Sequence, residues 1–400
     1  MTPSPIQLDD EFRPPAMSYA ALFGRFLRFG LLAFGGPVAQ IAMIRQALVE
    51  EERWISPAGF NRLLAVMQAL PGPEAHELCV HLGVRAKGRL GGLLAGLGFM
   101  APGLLLMLAL AWAYTSFAVG GEALAPLFLG AQAVMLTVLL TATIRIGRHV
   151  LEGRDLVIIG AGAATASLLG LPFWLVLPLA GAAAVLQGRR RLWLLLLGSI
   201  ALAILSALPH PTPAALQPAE AATPGLLFLA GLKAGLLTFG GAYTAIPFVR
   251  ADTVERGWLS DGQFLDGLAF SSLLPAPLVI FATFAGWVSG GPWGALAITA
   301  GIFLPAFAFS LLFYERLERL AEHPRLRRLL AGVAAAVVGL IAVTLLDLCR
   351  SAFAESPSPF VTLLLAAAAL PLLLRWRSPL ATPLVLLVGA VGGLVLFGPV

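Results

Sequence analysis

Long apolar runs separated by short polar or basic stretches fill the chain. Seven lie at residues 19–48, 58–84, 91–119, 124–146, 156–169, 172–186 and 192–208. A Pro/Ala-rich stretch at 209–224, without a lysine or arginine, separates them from six more at 225–249, 263–288, 293–313, 326–348, 360–374 and 380–397. Such runs predict helices that cross a bilayer, where each crossing needs about 20 apolar residues and backbone groups are paired within the segment. The expected architecture is an all-α polytopic integral membrane protein of about 13 apolar segments.

The bases between the runs orient them, because short cytoplasmic loops collect Lys and Arg. Arg85, Lys87 and Arg89 follow the second run, Arg145, Arg148 and Arg154 the fourth, and Arg189, Arg190 and Arg191 the sixth. The stretches after the third, fifth and seventh runs carry no base. Beyond the linker the same parity puts Arg250 and Arg256, then Arg316, Arg319, Arg325, Arg327 and Arg328, then Arg375 and Arg377, on the inner side. Arg45, Arg53 and Arg62 fit this count only if the first two runs re-enter instead of crossing.

The chain repeats itself after about 205 residues. Arg28 to Gly36 matches Lys233 to Gly241, Leu70-Pro71-Gly72-Pro73 matches Leu274-Pro275-Ala276-Pro277, and Pro102 matches Pro305. The domain reading is a cytoplasmic tail at 1–17, a first repeat at 18–208, the linker at 209–224 and a second repeat at 225–400. The repeats start an odd number of runs apart, so they are expected in inverted topology, and loop charge agrees. The loop after the second run is basic while its counterpart at 289–292 is uncharged. Inverted repeats with broken helices are the construction of many secondary transporters.

Both repeats break their early runs at matching places: Gly35-Gly36-Pro37 and Gly240-Gly241, then Pro71-Gly72-Pro73 and Pro275-Ala276-Pro277. Glycine and proline interrupt helices, and broken backbone at membrane depth belongs beside a cavity or buried in protein. Half-helix N-termini expose N–H groups that favour an anion. Arg28 and Lys233, at matching positions before the glycine pairs, are candidates for substrate charge compensation. Glu74, His76, Glu77 and His81 follow the first Pro-x-Pro and are candidates for proton coupling, since buried carboxyls and histidines titrate usefully. Tyr243, Thr244, Ser271 and Ser272 are neutral donors near the second-repeat breaks.

Composition narrows the classes. The chain is 59% apolar and 12% charged with mean hydropathy +0.89, far from soluble domains. Its net charge of +5 sits in short loops, where it orients helices, and nucleic acid is not an expected partner. Cys79 and Cys349 are read as buried small hydrophobes, and neither a metal nor a cofactor is expected. No P-loop, dinucleotide fingerprint or nucleophile elbow appears, so the expectation is not an enzyme but a transporter driven by an ion gradient or potential.

Taken together, Phe34-Gly35-Gly36-Pro37, Arg53-Trp54-Ile55-Ser56, Leu70-Pro71-Gly72-Pro73-Glu74-Ala75, Thr238-Phe239-Gly240-Gly241-Ala242-Tyr243 and Gly257-Trp258-Leu259 resemble the chromate ion transporter family in its long two-domain form. The resemblance implies a secondary active transporter exporting chromate, a sulfate-like oxyanion, across the bacterial inner membrane and conferring chromate resistance. It implies functional weight at Arg28, Gly35, Gly36, Pro37, Pro71, Gly72, Pro73, Glu74, Gly240, Gly241 and Tyr243. The chain departs from that pattern at Leu273-Leu274, at Ala276 and at His76-Glu77. A transporter or channel for another anion or small metabolite is the alternative. The expected partners are the oxyanion and the lipid bilayer, with a homodimer left open.

Overall fold

The computed structural model describes residues 12–68, 70–117, 124–186, 198, 221–239, 241–312, 324–376 and 378–398. Most of the tail at 1–17, the seventh run apart from residue 198, most of the linker, Gly240 and the bases Arg189, Arg190, Arg191, Arg316, Arg319 and Arg377 lie outside the described residues. Regular structure among the described residues is helical. The first half contains α1 (Tyr19–Leu31), α2 (Gly36–Arg45), α3 (Pro57–Met67), α4 (Glu74–Ser116), α5 (Ala125–Val150), α6 (Arg154–Leu168) and α7 (Phe173–Val185). The second contains α8 (Pro224–Leu236), α9 (Ile246–Thr253), α10 (Asp261–Leu273), α11 (Phe281–Leu312), α12 (Pro324–Glu355), α13 (Pro359–Arg375) and α14 (Ala381–Leu396).

The repeat is visible in how helices begin. The Ser18 hydroxyl accepts from the Ala21 N–H at the start of α1, and Thr223 accepts from Leu226 at the start of α8. Ser56 caps α3 through Gly59 with Pro57 in the first turn, and Ser260 caps α10 in a reciprocal pair with Gln263. Each cap satisfies an amide that a helix start leaves unpartnered.

Two of the three longest described helices are hairpins. α4 reverses at Lys87 (φ −147°, ψ 34°) and Gly88 (φ 66°, ψ −165°), and α11 reverses at Gly290 (φ −141°, ψ 20°) and Gly291 (φ 64°, ψ −160°). The left-handed residue is glycine both times, the one residue that adopts this backbone without strain. Across the first turn Gly83 packs on Gly91, Gly92 and Ala95, and across the second Gly286 packs on Gly294 and Ile298. In a continuous helix residues eight apart stand about 12 Å apart, so these contacts exist only because the chain doubles back. The Lys87 ammonium donates to the Met17 carbonyl at 2.7 Å and lies 4.4 Å from the Tyr19 ring centroid, tying the turn to the start of α1.

α1 and α8 each run alongside the second arm of their own hairpin. Gly30 meets the Phe99 carbonyl and Gly98 that of Phe23, as Gly231 meets the Ile298 carbonyl and Gly301 that of Phe228. The two second arms run antiparallel, with Gly92 against Leu311 and Gly96 against Phe307. Helices of each half also cover the other half: Gly130 of α5 packs on Gly389 and Gly393 of α14, while Gly332 and Gly339 of α12 pack on Ala180 of α7 and Gly160 of α6.

The expected crossings at 19–48 and 58–84 are instead pairs of short helices. α1, α2 and α3 have 13, 10 and 11 residues, or about 15–20 Å at 1.5 Å per residue, against a core of about 30 Å. Arg25 pairs with Glu52, and Phe26 lies 6.3 Å from Trp54, so the stretch after α2 returns beside α1. The second half folds back likewise through Lys233 and Asp252. Phe173, the first residue of α7, contacts Phe248 of α9 at 5.2 Å. Asp261 holds Arg250 at 2.8 and 2.9 Å, and Asp252 lies 3.8 Å from Arg256, so both guanidiniums meet a carboxylate.

Among the described residues, four helical stretches are long and apolar enough to cross a membrane: Glu74–Ser116, Ala125–Val150, Leu278–Leu312 and Pro324–Glu355. Because Gly83 sits in the hairpin seam, Gly83→Ala forces Ala95 and the Gly91 carbonyl apart and is expected to cost about 1–3 kcal/mol. Gly162→Ala, at a helix position open on all sides, is not expected to lower stability. Thermal unfolding of the detergent-solubilised protein, followed by tryptophan fluorescence, compares the two.

Candidate substrate cavity

All four breaks meet at one cavity of about 410 Å³. Gly35, Gly36, Pro37 and Val38 line it from the first break, Gln68 and Glu74 from the second, Gly241 and Tyr243 from the third, and Leu274, Ala276 and Leu278 from the fourth. Local sequence explains the openings. Gly35 (φ 86°) and Gly36 (φ 77°) carry the chain between α1 and α2, with Pro37 in the first turn. Pro379 lies against Gly35, so a side chain there has neither the backbone angle nor the room. Gly72 (φ 149°) and Gly241 (φ 120°) serve the second and third breaks.

The breaks are stitched across the halves. The Gly72 N–H donates to the Thr238 carbonyl at 2.8 Å, linking the second break to the third. The Gln40 amide, buried at 1% exposure, donates to the carbonyls of Ala33 and Ala276, each at 2.9 Å, linking the first break to the fourth. Packing follows the same exchange: Gly72 lies against Ala306, and Gly103 against Ala276, which are matching pairs under the repeat.

The cavity extends from the breaks along the last two turns of α5, where Ala142, Arg145, Ile146, His149 and Val150 line it. Their i, i+3, i+4, i+7, i+8 spacing is one helix face. Helix starts at Gly36, Glu74 and Leu278 bring N–H groups, Arg145 and His149 bring basic nitrogen, and Tyr243, Ser271, Ser272 and Thr382 bring hydroxyls. The ends of α3 and α10 also reach the space, through Gln68 and Leu274. Glu74 is the lining carboxyl, and Gln68 lines the same space. The helix starts, Arg145 and the hydroxyls favour an anion, while Glu74 and the C-terminal ends of α3, α5 and α10 oppose one.

Of the residues singled out in the sequence, Gly35, Gly36, Pro37, Glu74, Gly241 and Tyr243 line the cavity. Pro71, Gly72 and Pro73 are buried and shape the break immediately before Glu74. Arg28 is exposed on the last turn of α1, and Lys233 pairs with Asp252 with its ammonium 4.7 Å from the Phe173 ring centroid. Neither lines the cavity. His76 and Glu77 are fully buried behind Glu74: the His76 ring packs on Phe303 and Phe307 at 4.9 and 4.7 Å, and Glu77 faces Gly72. Neither the His76 nitrogens nor the Glu77 oxygens meet a hydrogen-bond partner among the described residues. His81 lies further along the same arm, towards Lys87. Arg145, which the sequence reading grouped with the basic loop after the fourth run, does face the cavity together with His149, which it did not single out; their shared helix face was the signal.

Comparison with known proteins agrees with this construction. The family model described as chromate transporter matches residues 20–186 and 225–394. A chromate transport protein of Pseudomonas aeruginosa is 55% identical over 392 residues, covering 96% of this chain and 94% of that protein. A chromate transport protein of Cupriavidus metallidurans is 29% identical, with 96% and 94% covered, and a probable chromate transport protein of Synechococcus elongatus is 28% identical, with 95% and 96% covered. No solved structure matches. With both of its halves matched and its apolar helices in place, the chain is a multi-pass membrane protein that belongs to the chromate transporter family.

Proposed function

We propose that the chain is a secondary active transporter that exports chromate, with sulfate as a related oxyanion, across the bacterial inner membrane and so confers chromate resistance. The observation that carries this reading is the meeting of all four breaks with Arg145 and His149 at one cavity between the halves. A tetrahedral dianion needs donors from several directions and balancing positive charge, and this lining supplies both. The volume also holds several waters, at about 30 Å³ each, so it does not demand full dehydration. Selection against sulfate is then weak.

Two repeats in inverted topology support an alternating-access cycle. The antiparallel second arms and the exchanged contacts of Gly72 with Ala306 and Gly103 with Ala276 favour that arrangement. The fold-back of α1 with α2 and of α3 with the first arm of α4 makes these re-entrant pairs, which puts Arg45, Arg53 and Arg62 on the inner side with Lys87. The cavity reaches the last turn of α5 on that side, the loading side for export.

Charge compensation, expected of Arg28 and Lys233, falls to Arg145, with the His149 ring beside it on the same helix face. Loss of one charge-assisted contact, about 1.5–3 kcal/mol, corresponds to roughly ten- to hundredfold weaker binding. Arg145→Ala is therefore expected to lower radiolabelled chromate uptake into inverted vesicles by that order at sub-saturating chromate, while Arg28→Ala leaves it near the parent level. Normal uptake by Arg145→Ala would remove the site assignment.

Glu74 is the proton-coupling candidate placed to exchange with substrate, ahead of His76, Glu77 and His81, which do not line the cavity. An ionised carboxylate and an oxyanion repel within one small space, so taking up a proton and taking up substrate are linked. Glu74→Gln is expected to keep downhill chromate exchange while an imposed pH gradient no longer drives accumulation. Vesicles in which the pH gradient and the potential are set separately test this, and gradient-driven uptake by the variant would refute coupling through Glu74.

A further inference from the structure

Resting on the alternating-access reading above, we infer that Tyr114, Asp266 and Gln132 form a latch that holds the cavity's second exit shut. Asp266 of α10 is 4% exposed. Its carboxylate accepts from the Tyr114 hydroxyl of α4 at 3.0 Å and from the Gln132 amide of α5 at 2.9 Å, and the same amide reaches the Gly262 carbonyl at 3.3 Å. One acid therefore joins three helices. Around it four rings from four helices pack edge to face: Tyr114 lies 5.6 Å from Phe128, 6.0 Å from Phe270 and 5.0 Å from Phe284, and Phe270 lies 5.5 Å from Phe284.

Position gives the cluster its role. Tyr114 is two residues from the end of α4 and Phe128 is in the first turn of α5, whereas the cavity occupies the last two turns of α5. The cluster thus lies on the side of the cavity away from Lys87. Phe270 immediately precedes Ser271 and Ser272, which line the cavity, so the plug and the cavity wall share one helix.

The chemistry suits a closure that must reopen. Apolar rings alone would seal the exit and hold it by area. A buried carboxylate is costly unless donors meet it, so Asp266 penalises partly opened arrangements in which Tyr114 or Gln132 has withdrawn and water has not yet entered. With water present the acid is solvated and the opened state is no longer penalised. Two defined positions of α10 follow, with little population between them. The matching position in the first repeat is Arg62, and Phe270 is matched by Val66, so these two members of the cluster belong to the second repeat alone.

The test places a single cysteine at Ser272, with Cys79 and Cys349 replaced by alanine, and measures labelling by a membrane-impermeant thiol reagent in inverted and right-side-out vesicles. The parent is expected to label from the Lys87 side and not from the opposite side. Tyr114→Phe removes one oxygen and keeps the ring, and Gln132→Leu removes the second donor while keeping bulk. Each is expected to raise labelling from the opposite side by roughly tenfold and to reduce labelling from the Lys87 side. A labelling pattern identical to the parent's in both variants, with or without reduced chromate flux, would overturn the latch. Single-cysteine protein that labels equally from both sides, or unsubstituted protein that carries no chromate, would instead overturn the transport reading on which the latch rests. Gln132→Glu, which sets a second acid against Asp266, supplies a further check: it is expected to open the exit at least as far as Gln132→Leu, and a closed exit in that variant also counts against the latch.

Discussion

A helix interrupted within a membrane leaves N–H and carbonyl groups that lipid cannot satisfy, and the fold depends on where those groups go. Here each half supplies partners for the other. The Gly72 N–H finds the Thr238 carbonyl, and the Gln40 amide bridges the carbonyls of Ala33 and Ala276. Neither half satisfies its own breaks without the other, so the cavity exists only where the halves meet. The duplication is therefore not two tandem units but one site split between them, and the exchange of α13 and α14 onto α5, and of α6 and α7 onto α12, reinforces it.

Close approach is carried by glycine and alanine, because lipid supplies no hydrophobic drive between helices and packing must come from contact. Gly30, Gly98, Gly231 and Gly301 bring α1 and α8 against carbonyls of the hairpin arms. The halves nonetheless diverge in chemistry. Glu74, His76 and Glu77 are matched by Leu278, Ile280 and Phe281, and Arg62 by Asp266. Backbone symmetry thus survives while the side chains specialise: the first half brings the carboxyl and the α5 bases to the cavity, and the second brings hydroxyls and the ring cluster.

Much of this was legible in the sequence because Gly and Pro report on backbone directly. The four breaks, their recurrence and their convergence on an anion-friendly space follow from Gly35-Gly36, Pro71-Gly72-Pro73, Gly241 and Pro275-Ala276-Pro277. Crossing number was not legible, since an apolar run of 27 to 30 residues (58–84 and 19–48) reads the same whether it spans or doubles back; the decisive contact, Arg25 with Glu52, joins residues 27 apart. Arg28 and Lys233 stand in the right register before the glycine pairs, but the partner that turns Lys233 away, Asp252, is likewise remote in sequence. Arg145 stood at the end of the fourth run and was counted with its basic loop, and ending that run at Ile146 left His149 out. The helix continues to Val150, and the extra turn carries His149 onto the same cavity wall as Arg145.

α10 connects these observations. Its first residue, Asp261, holds Arg250 and accepts from the Ser351 hydroxyl at 2.6 Å, its middle carries Asp266, and its end presents Ser271 and Ser272. Ser271 donates to the Leu278 carbonyl at 2.7 Å, so the helix end is joined to the chain just beyond the fourth break. A helix pinned at both ends and hydrogen-bonded at its centre moves as a unit. Any substrate that draws the Ser272 hydroxyl from its present acceptor, the Leu268 carbonyl at 2.9 Å, acts on the turn that carries Phe270 and stands next to Asp266. Substrate occupancy and the exit are then coupled within two helical turns, and no longer path through the protein is required.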